Sequence, residues 1–276
     1  MNDHRTPISI AVRPWFHDHS VGGKTVLPAV ETMLLLAGHC LAAHPHLDIR
    51  AMEDGRFGKF LEIPETAREV AALVECSTGD NGRVRAKLLS HVQFKAMARL
   101  KEHGEVCFSH DSTDDEPEED IDPNPEISRA TKIPVEMLYR DMVPFGPSYR
   151  TLQGTLYILD NQAWGELRAP ELPFTGPAQE VLGSPFPLDG ALHAACVLGQ
   201  QHVDYIPFPV GFRRRRINRP TQPGTRYRTR VTMTSPPGDE LVFNLVLFDD
   251  TGQLYETITG VRMRDVGMVA NKGNRP

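Results

Sequence analysis

The chain has little of what several large function classes require. Its four cysteines, Cys40, Cys76, Cys107 and Cys196, stand far apart and form no C-x-x-C pair, so the dithiol motif is missing. Three of them lie in apolar or strand-like runs and read as reduced, buried thiols of a cytoplasmic protein. No apolar run reaches transmembrane length, and the first residues, Met-Asn-Asp-His-Arg-Thr-Pro, lack the apolar core of a signal peptide, so a soluble chain without membrane contact is expected. G-x-S-x-G is absent, which removes support for a serine-nucleophile hydrolase. No glycine-rich loop follows a strand, so no dinucleotide cofactor is indicated. An excess of positive charge is also lacking. The net charge of −6 argues against a general nucleic-acid binder. His17-Asp18-His19 and His44-x-His46 come nearest to metal ligation, but neither has a matching cysteine or carboxylate cluster, so no metal is expected.

What is present is ordinary globular composition: 276 residues, 40% apolar and 24% charged, enough for one large domain or two modest ones. The chain is organised around His19-Ser20-Val21-Gly22-Gly23-Lys24-Thr25-Val26-Leu27-Pro28, a histidine, a glycine four residues on and a proline five after that. Pro28 suits a helix start, where a missing N–H leaves nothing unpaired. The run from Ala29 to Ala43 has helix length and is apolar on nearly every face from Met33 onward, which predicts a buried helix. Gly23 permits a tight backbone approach just before a helix N-terminus, a place that favours developing negative charge. A histidine there is a candidate proton acceptor; a plain loop histidine is the alternative.

A short strand is expected at Ser9–Val12. After the helix, strands are expected at Ile49–Ile63, Glu69–Ser77, Gly82–Val92 and Ala98–Ser109, with a turn at Gly79-Asp80-Asn81-Gly82. Residues 111–126 are dense in acid and proline and read as a linker, with an acidic interaction tail as the alternative. Beyond it the pattern repeats. A segment at Ile133–Tyr139 leads to Phe145-Gly146-Pro147-Ser148-Tyr149, then strands at Thr151–Leu159 and Ala163–Arg168. A second proline-led helix runs from Pro185 to Leu198, and strands follow at Val210–Ile217, Tyr227–Thr234, Glu240–Phe248 and Leu254–Arg264. The expected organisation is α+β: residues 1–110, a linker at 111–126, residues 127–268, and a frayed tail at 269–276.

Asp189 and His193 are four apart and so share a face of the second helix. If the halves pack as pseudo-symmetric partners, Asp189 faces His19 across a shared cleft. Burial raises a carboxyl's pKa, so an aspartic acid there can hold a proton while a neutral imidazole waits as base. Such a pair suits removal of a proton α to a thioester carbonyl and protonation of a β-hydroxyl. A first-turn acid that merely complements the helix dipole is the other reading.

The motifs His19–Pro28, Phe145–Tyr149 and Asp189–His193, in this order, resemble those of the dehydratase domains of modular polyketide synthases, over about Pro14 to Val266. The resemblance implies a double hotdog, two helices each wrapped by an antiparallel sheet, with the active site between the halves. It implies dehydration of a β-hydroxyacyl group carried as a phosphopantetheine thioester on acyl carrier protein, without a further cofactor. His19 would be the base and Asp189 the acid, with His193 holding the aspartate. Gly23 and Pro28 would support them, and Tyr149 either joins them or is a core aromatic with its hydroxyl at an edge. A homodimer or megasynthase neighbours are further implied partners, in a free-standing protein or an excised domain. One departure stands out: the family's Tyr-Gly-Pro-x-Phe reads Phe145-Gly146-Pro147-Ser148-Tyr149, so its tyrosine hydroxyl is missing at Phe145.

Arg213-Arg214-Arg215-Arg216 would alternate between the faces of a strand. They suit a docking site for an acidic carrier or the pantetheine phosphate, or else a charged edge strand protected from aggregation. Two rivals to dehydration stay open: an enoyl double-bond isomerase of the same fold, and a non-catalytic hotdog that binds acyl chains or holds a dimer.

Overall fold

The computed structural model of the protein describes residues 4–79, 82–94, 97–108, 121–123, 125–143, 145–235, 238 and 240–267, the side chains of Phe94, Met97 and Ala98 excepted. Two helices form its centres. The first, α1 (Ala29–Ala43), starts directly after Pro28, whose extended backbone (φ −62°, ψ 150°) places it at the cap, with its carbonyl accepting the N–H of Thr32. Val30, Met33, Ala37 and Cys40 recur at helical spacing on its buried face. That face packs against β5 (Glu69–Thr78), β6 (Val84–Phe94) and β7 (Met97–Phe108).

The second central helix, α4 (Phe186–Gly199), is buried at every residue. It lies against β9 (Leu152–Leu159), β10 (Gln162–Arg168), β12 (Arg226–Met233) and β13 (Leu241–Phe248). A helix enclosed all round has no solvent face for polar groups, so the polar residues it keeps, Asp189 and His193, stand out.

One twelve-stranded antiparallel sheet wraps both helices, in the order β1-β5-β6-β7-β4-β11-β14-β13-β12-β10-β9-β8. The remaining members are β1 (His4–Ala11), β4 (Ala51–Arg56), β8 (Thr131–Pro134), β11 (Phe208–Ile217) and β14 (Leu254–Arg264). The first five strands in that order belong to the first half of the chain and the other seven to the second. The halves join through the antiparallel pair β4–β11, with Phe212 opposite Gly55 and Arg215 opposite Met52. Two helices, each wrapped by its own half of one fused sheet, make a double hotdog. No helix among the described residues is long and apolar enough to cross a membrane.

Several expectations need correction. The strand expected over Ile49–Ile63 stops at Arg56, because the chain then leaves the sheet and Phe57 to Leu61 turn toward a cavity. The arginine run is on the central strand, not an edge. Arg215 is buried and pairs through Nε with Glu256 Oε1 at 2.7 Å, its guanidinium lying against the sulfurs of Met33 and Met52. It cannot dock a carrier. Arg213 and Arg216 are exposed and Arg214 is half-buried. The short helices α2 (Val135–Met137) and α3 (Pro177–Leu182) and the hairpin of β2 (Ser20–Val21) with β3 (Lys24–Thr25) were not foreseen. Of the linker expected at 111–126, residues 111–120 and 124 lie outside the described residues; at its end, Arg228 donates to the Pro123 carbonyl. The tail at 269–276 lies outside them too.

Candidate active site

His19 follows a 3-10 turn over Pro14–Asp18 and leads into the β2–β3 hairpin. Its backbone carbonyl accepts the N–H of Val26 at 3.1 Å, closing the loop. Its ring Nδ1 lies 3.2 Å from the Val26 carbonyl oxygen. A carbonyl can only accept, so Nδ1 carries the proton and Nε2 is left as a free base. Burial pushes the imidazole pKa down to about 4, partly offset by the nearby Asp189 carboxylate. His19 is therefore neutral at neutral pH.

Gly22 and Gly23 form the tip of that hairpin with φ of 58° and 76°. This corrects the role expected of Gly23. A Cβ there would touch nothing, so the glycine is needed for its left-handed backbone rather than for a close approach. It also sits at a hairpin tip, not at the mouth of α1.

Asp189 lies in the first turn of α4 and His193 one turn later, both 4% exposed. His193 Nε2 is 3.0 Å from Asp189 Oδ2, a close but bent contact, and neither atom has a hydrogen-bond partner elsewhere. Gly190 between them is set by packing: a Cβ would fall 2.1 Å from Thr151 Oγ1 and 2.7 Å from Leu167. Glycine lets β9 and β10 close over the helix and fixes the depth of Asp189.

The second half reaches His19 through the Gly-Pro motif. Gly146 N–H donates to the Asp18 carbonyl at 2.7 Å, and Ser148 N–H donates to Asp18 Oδ2 at 2.9 Å. The docked motif lays Phe145 flat on His19, with centroids 4.3 Å apart and planes 13° from parallel. The other side of Phe145 meets His193 at 5.0 Å. Tyr149 meets the His19 ring edge-on at 5.2 Å, but its hydroxyl is fully buried without a hydrogen bond, so it does not supply the hydroxyl missing at Phe145.

A different tyrosine does reach the pair. Tyr139, buried in a single wide helical turn over Leu138–Met142, accepts the N–H of Leu152 at 3.0 Å and lies 3.3 Å from His193 Nδ1. Burial holds its pKa above the usual phenol value. Three residues were missed in the sequence: Asp18, seen only as a metal candidate, Tyr139, and Glu31. Glu31 accepts the Trp15 indole N–H at 3.1 Å and is pushed by burial up to about 7. It lines a second cavity of about 320 Å³, between β1, α1 and α3. No spacing in the sequence marks any of these contacts.

His19, Asp189 and His193 line one cavity of about 260 Å³. Leu27, Phe57, Phe60, Leu192 and Phe208 supply an apolar lining, and exposed Gly22, Gly23 and Lys59 bring it to the surface. His103, Thr32 and Ser20 add further polar groups to a lining that is otherwise largely apolar, which suits a pocket that orients a mostly apolar ligand. Pro28 caps α1, whose first residue Ala29 is part of the wall; the arginine run lies outside it. A neutral base and a carboxyl on one such wall can move protons to and from a bound carbon chain.

No curated protein sequence matches the chain. Among solved structures, the dehydratase domain of a mycocerosic acid synthase-like polyketide synthase is 15% identical, with a TM-score of 0.75 over 96% of this chain and 91% of that one. The dehydratase domain of RzxB from Pseudomonas fluorescens is 17% identical, with a TM-score of 0.74 over 95% of this chain and 94% of that one. The dehydratase domain from the CurF module of the curacin polyketide synthase is 18% identical, with a TM-score of 0.74 over 95% and 94%. Identities this low establish the fold alone. The family described as polyketide synthase dehydratase N-terminal domain matches residues 123–272, more than half of the chain, and the protein therefore belongs to the polyketide synthase dehydratases.

Proposed function

We propose that the protein removes water from a β-hydroxyacyl thioester held on the phosphopantetheine arm of an acyl carrier protein, with His19 as base and Asp189 as acid. The observation that carries this is the meeting, on one apolar-lined cavity, of a neutral buried imidazole from the first half and a buried carboxyl from the second. His19 Nε2 takes the proton from C2 of the substrate. The C2–H electrons form the C2–C3 double bond as the C3–O bond breaks. Asp189 gives its proton to the departing hydroxyl, which leaves as water. The enzyme is left with a protonated His19 and an ionised Asp189, and return of one proton restores both. The Gly22-Gly23 tip lines the cavity, and its backbone N–H groups would meet the thioester carbonyl, where charge develops as the C2 proton leaves. The acyl chain lies along Leu27, Phe60 and Leu192, and the pantetheine arm leaves past Lys59. Protein groups supply every step as written, without a cofactor.

The test is incubation with 3-hydroxyacyl pantetheine thioesters followed by mass spectrometry. Loss of one water supports the proposal. An enoyl thioester whose double bond moves at constant mass, with no dehydration, would indicate an isomerase instead, and binding without turnover would indicate a non-catalytic hotdog.

A further inference from the structure

A hydroxyl that reaches His193, the partner of Asp189, lies neither in the Gly-Pro motif nor on α4. It belongs to Tyr139, whose oxygen already accepts one N–H. The Leu152 N–H can only donate, so at 3.0 Å it occupies the Tyr139 oxygen as an acceptor. The phenol proton is then free to be given away. His193 Nδ1, at 3.3 Å, stands in its path. An Nδ1 that accepts carries no proton, so the ring's single proton is on Nε2, which faces Asp189 Oδ2 at 3.0 Å.

From this chain of donors we infer that Tyr139 is a positioning residue that fixes the tautomer of His193 and so fixes which oxygen of Asp189 carries the proton used in dehydration. With the Nε2 proton beside Oδ2 in the bent 3.0 Å contact, its positive charge disfavours a proton on that oxygen, and the acid proton belongs on Oδ1, clear of His193 and available to the substrate. Without the phenol, His193 can carry its proton on Nδ1. Its bare Nε2 then draws the Asp189 proton onto Oδ2, away from the departing hydroxyl. Phe145, lying between His19 and His193, offers no hydrogen bond to correct this. The alternative hydroxyl, on Tyr149, forms no hydrogen bond. Both Tyr139 and His193 are buried, so water does not readily replace the missing donor.

This inference rests on the assignment of Asp189 as acid, but its first test does not need turnover. In protein labelled with ¹⁵N-histidine, the His193 signal is identified by its loss in His193→Gln. The expected pattern at neutral pH is a protonated Nε2 and a bare Nδ1. A proton on Nδ1, or on both nitrogens, overturns the inference whether or not the protein is a dehydratase. The second test is kinetic. Tyr139→Phe keeps the ring and removes the hydroxyl; it should lower kcat about tenfold, the scale of one neutral hydrogen bond, with KM changed less than about twofold. In a His193→Gln background the same change should have almost no further effect. An equal loss in both backgrounds would mean that Tyr139 does not act through His193. If no thioester turns over at all, the dehydratase assignment fails, while the tautomer measurement still decides the role of Tyr139.

Discussion

The backbone N–H of Gly146 donates to the carbonyl of Asp18 at 2.7 Å, across the boundary between the two hotdogs. Together with the bond from Ser148 N–H to Asp18 Oδ2, it pins the Gly-Pro turn of the second half beside His19 of the first. The site is thus assembled by a backbone clasp, and its geometry is only as good as that clasp. A Cβ on residue 146 would come within 2.3 Å of Asp18 Oδ1. Gly146→Ala should therefore cost about 1–3 kcal/mol of stability through overpacking. It should also lower kcat/KM by at least about tenfold, because Phe145 would no longer lie flat on His19. Steady-state kinetics and thermal melts on the same samples check both; full activity in the variant would show that the clasp does not position the base.

The buried Arg215–Glu256 pair makes the seam between the halves sensitive to charge. Arg215→Leu leaves the Glu256 carboxylate without its guanidinium in the interior and should cost about 3–5 kcal/mol. Arg213→Ala and Arg216→Ala, at exposed positions on the same strand, should change stability by no more than about 0.5 kcal/mol. Urea titrations of the three variants test this. Equal effects would mean the four arginines act as one surface cluster.

His19 sets the acid side of the pH dependence. With its pKa lowered by burial to about 4, the base form persists down to that pH, so kcat/KM should fall on the acid limb with an apparent pKa near 4 rather than near 6.5. Stability has its own sign. The unfolded chain binds a proton at His19 below about pH 6.5, and the folded chain only below about pH 4. Folding stability should therefore drop by roughly 3 kcal/mol from this group as pH falls through that window, and stay level above it. His19→Phe should flatten this part of a stability–pH curve.

Glu31 acts in the opposite direction. Its carboxyl is raised to about 7, so the folded chain holds a proton that the unfolded chain has already released above about pH 4.5. Stability is lost as pH rises from about 4.5 to 7. Glu31→Gln keeps an acceptor for the Trp15 indole and should raise stability at pH 8 by roughly 1–2 kcal/mol, allowing for the partial exposure of the side chain, while leaving it nearly unchanged at pH 4.5. Melting temperatures at the two pH values decide it.

Much of the architecture is visible in the residue order because it rests on local patterns. Pro28 and Pro185 announce the two central helices, and the strands from Glu69 onward begin and end close to where turn-formers and alternation place them. What escaped depends on partners far away in the chain. Four consecutive arginines look like a solvated edge until Glu256, 41 residues later, is seen to receive Arg215 in the core. Asp18 looks like a loop acid until Gly146 and Ser148 fold onto it. Tyr139 gives no signal at all, since its role depends on a backbone N–H at Leu152 and a ring nitrogen 54 residues away. His19, Asp189, His193 and the Gly-Pro turn stood out because motifs hold them; Asp18, the residue that turn docks on, carries no such signal.

The central claim is that an imidazole from one hotdog and a carboxyl from the other act on a single acyl chain. The most direct measurement is single-turnover water loss from one 3-hydroxyacyl pantetheine thioester by the wild-type protein, His19→Ala and Asp189→Asn, with melting curves taken alongside. The prediction is dehydration by the wild type and a loss of at least about a thousandfold in each variant with the fold intact, as expected when a proton donor or acceptor is removed. Water loss at an undiminished rate in either folded variant would contradict it.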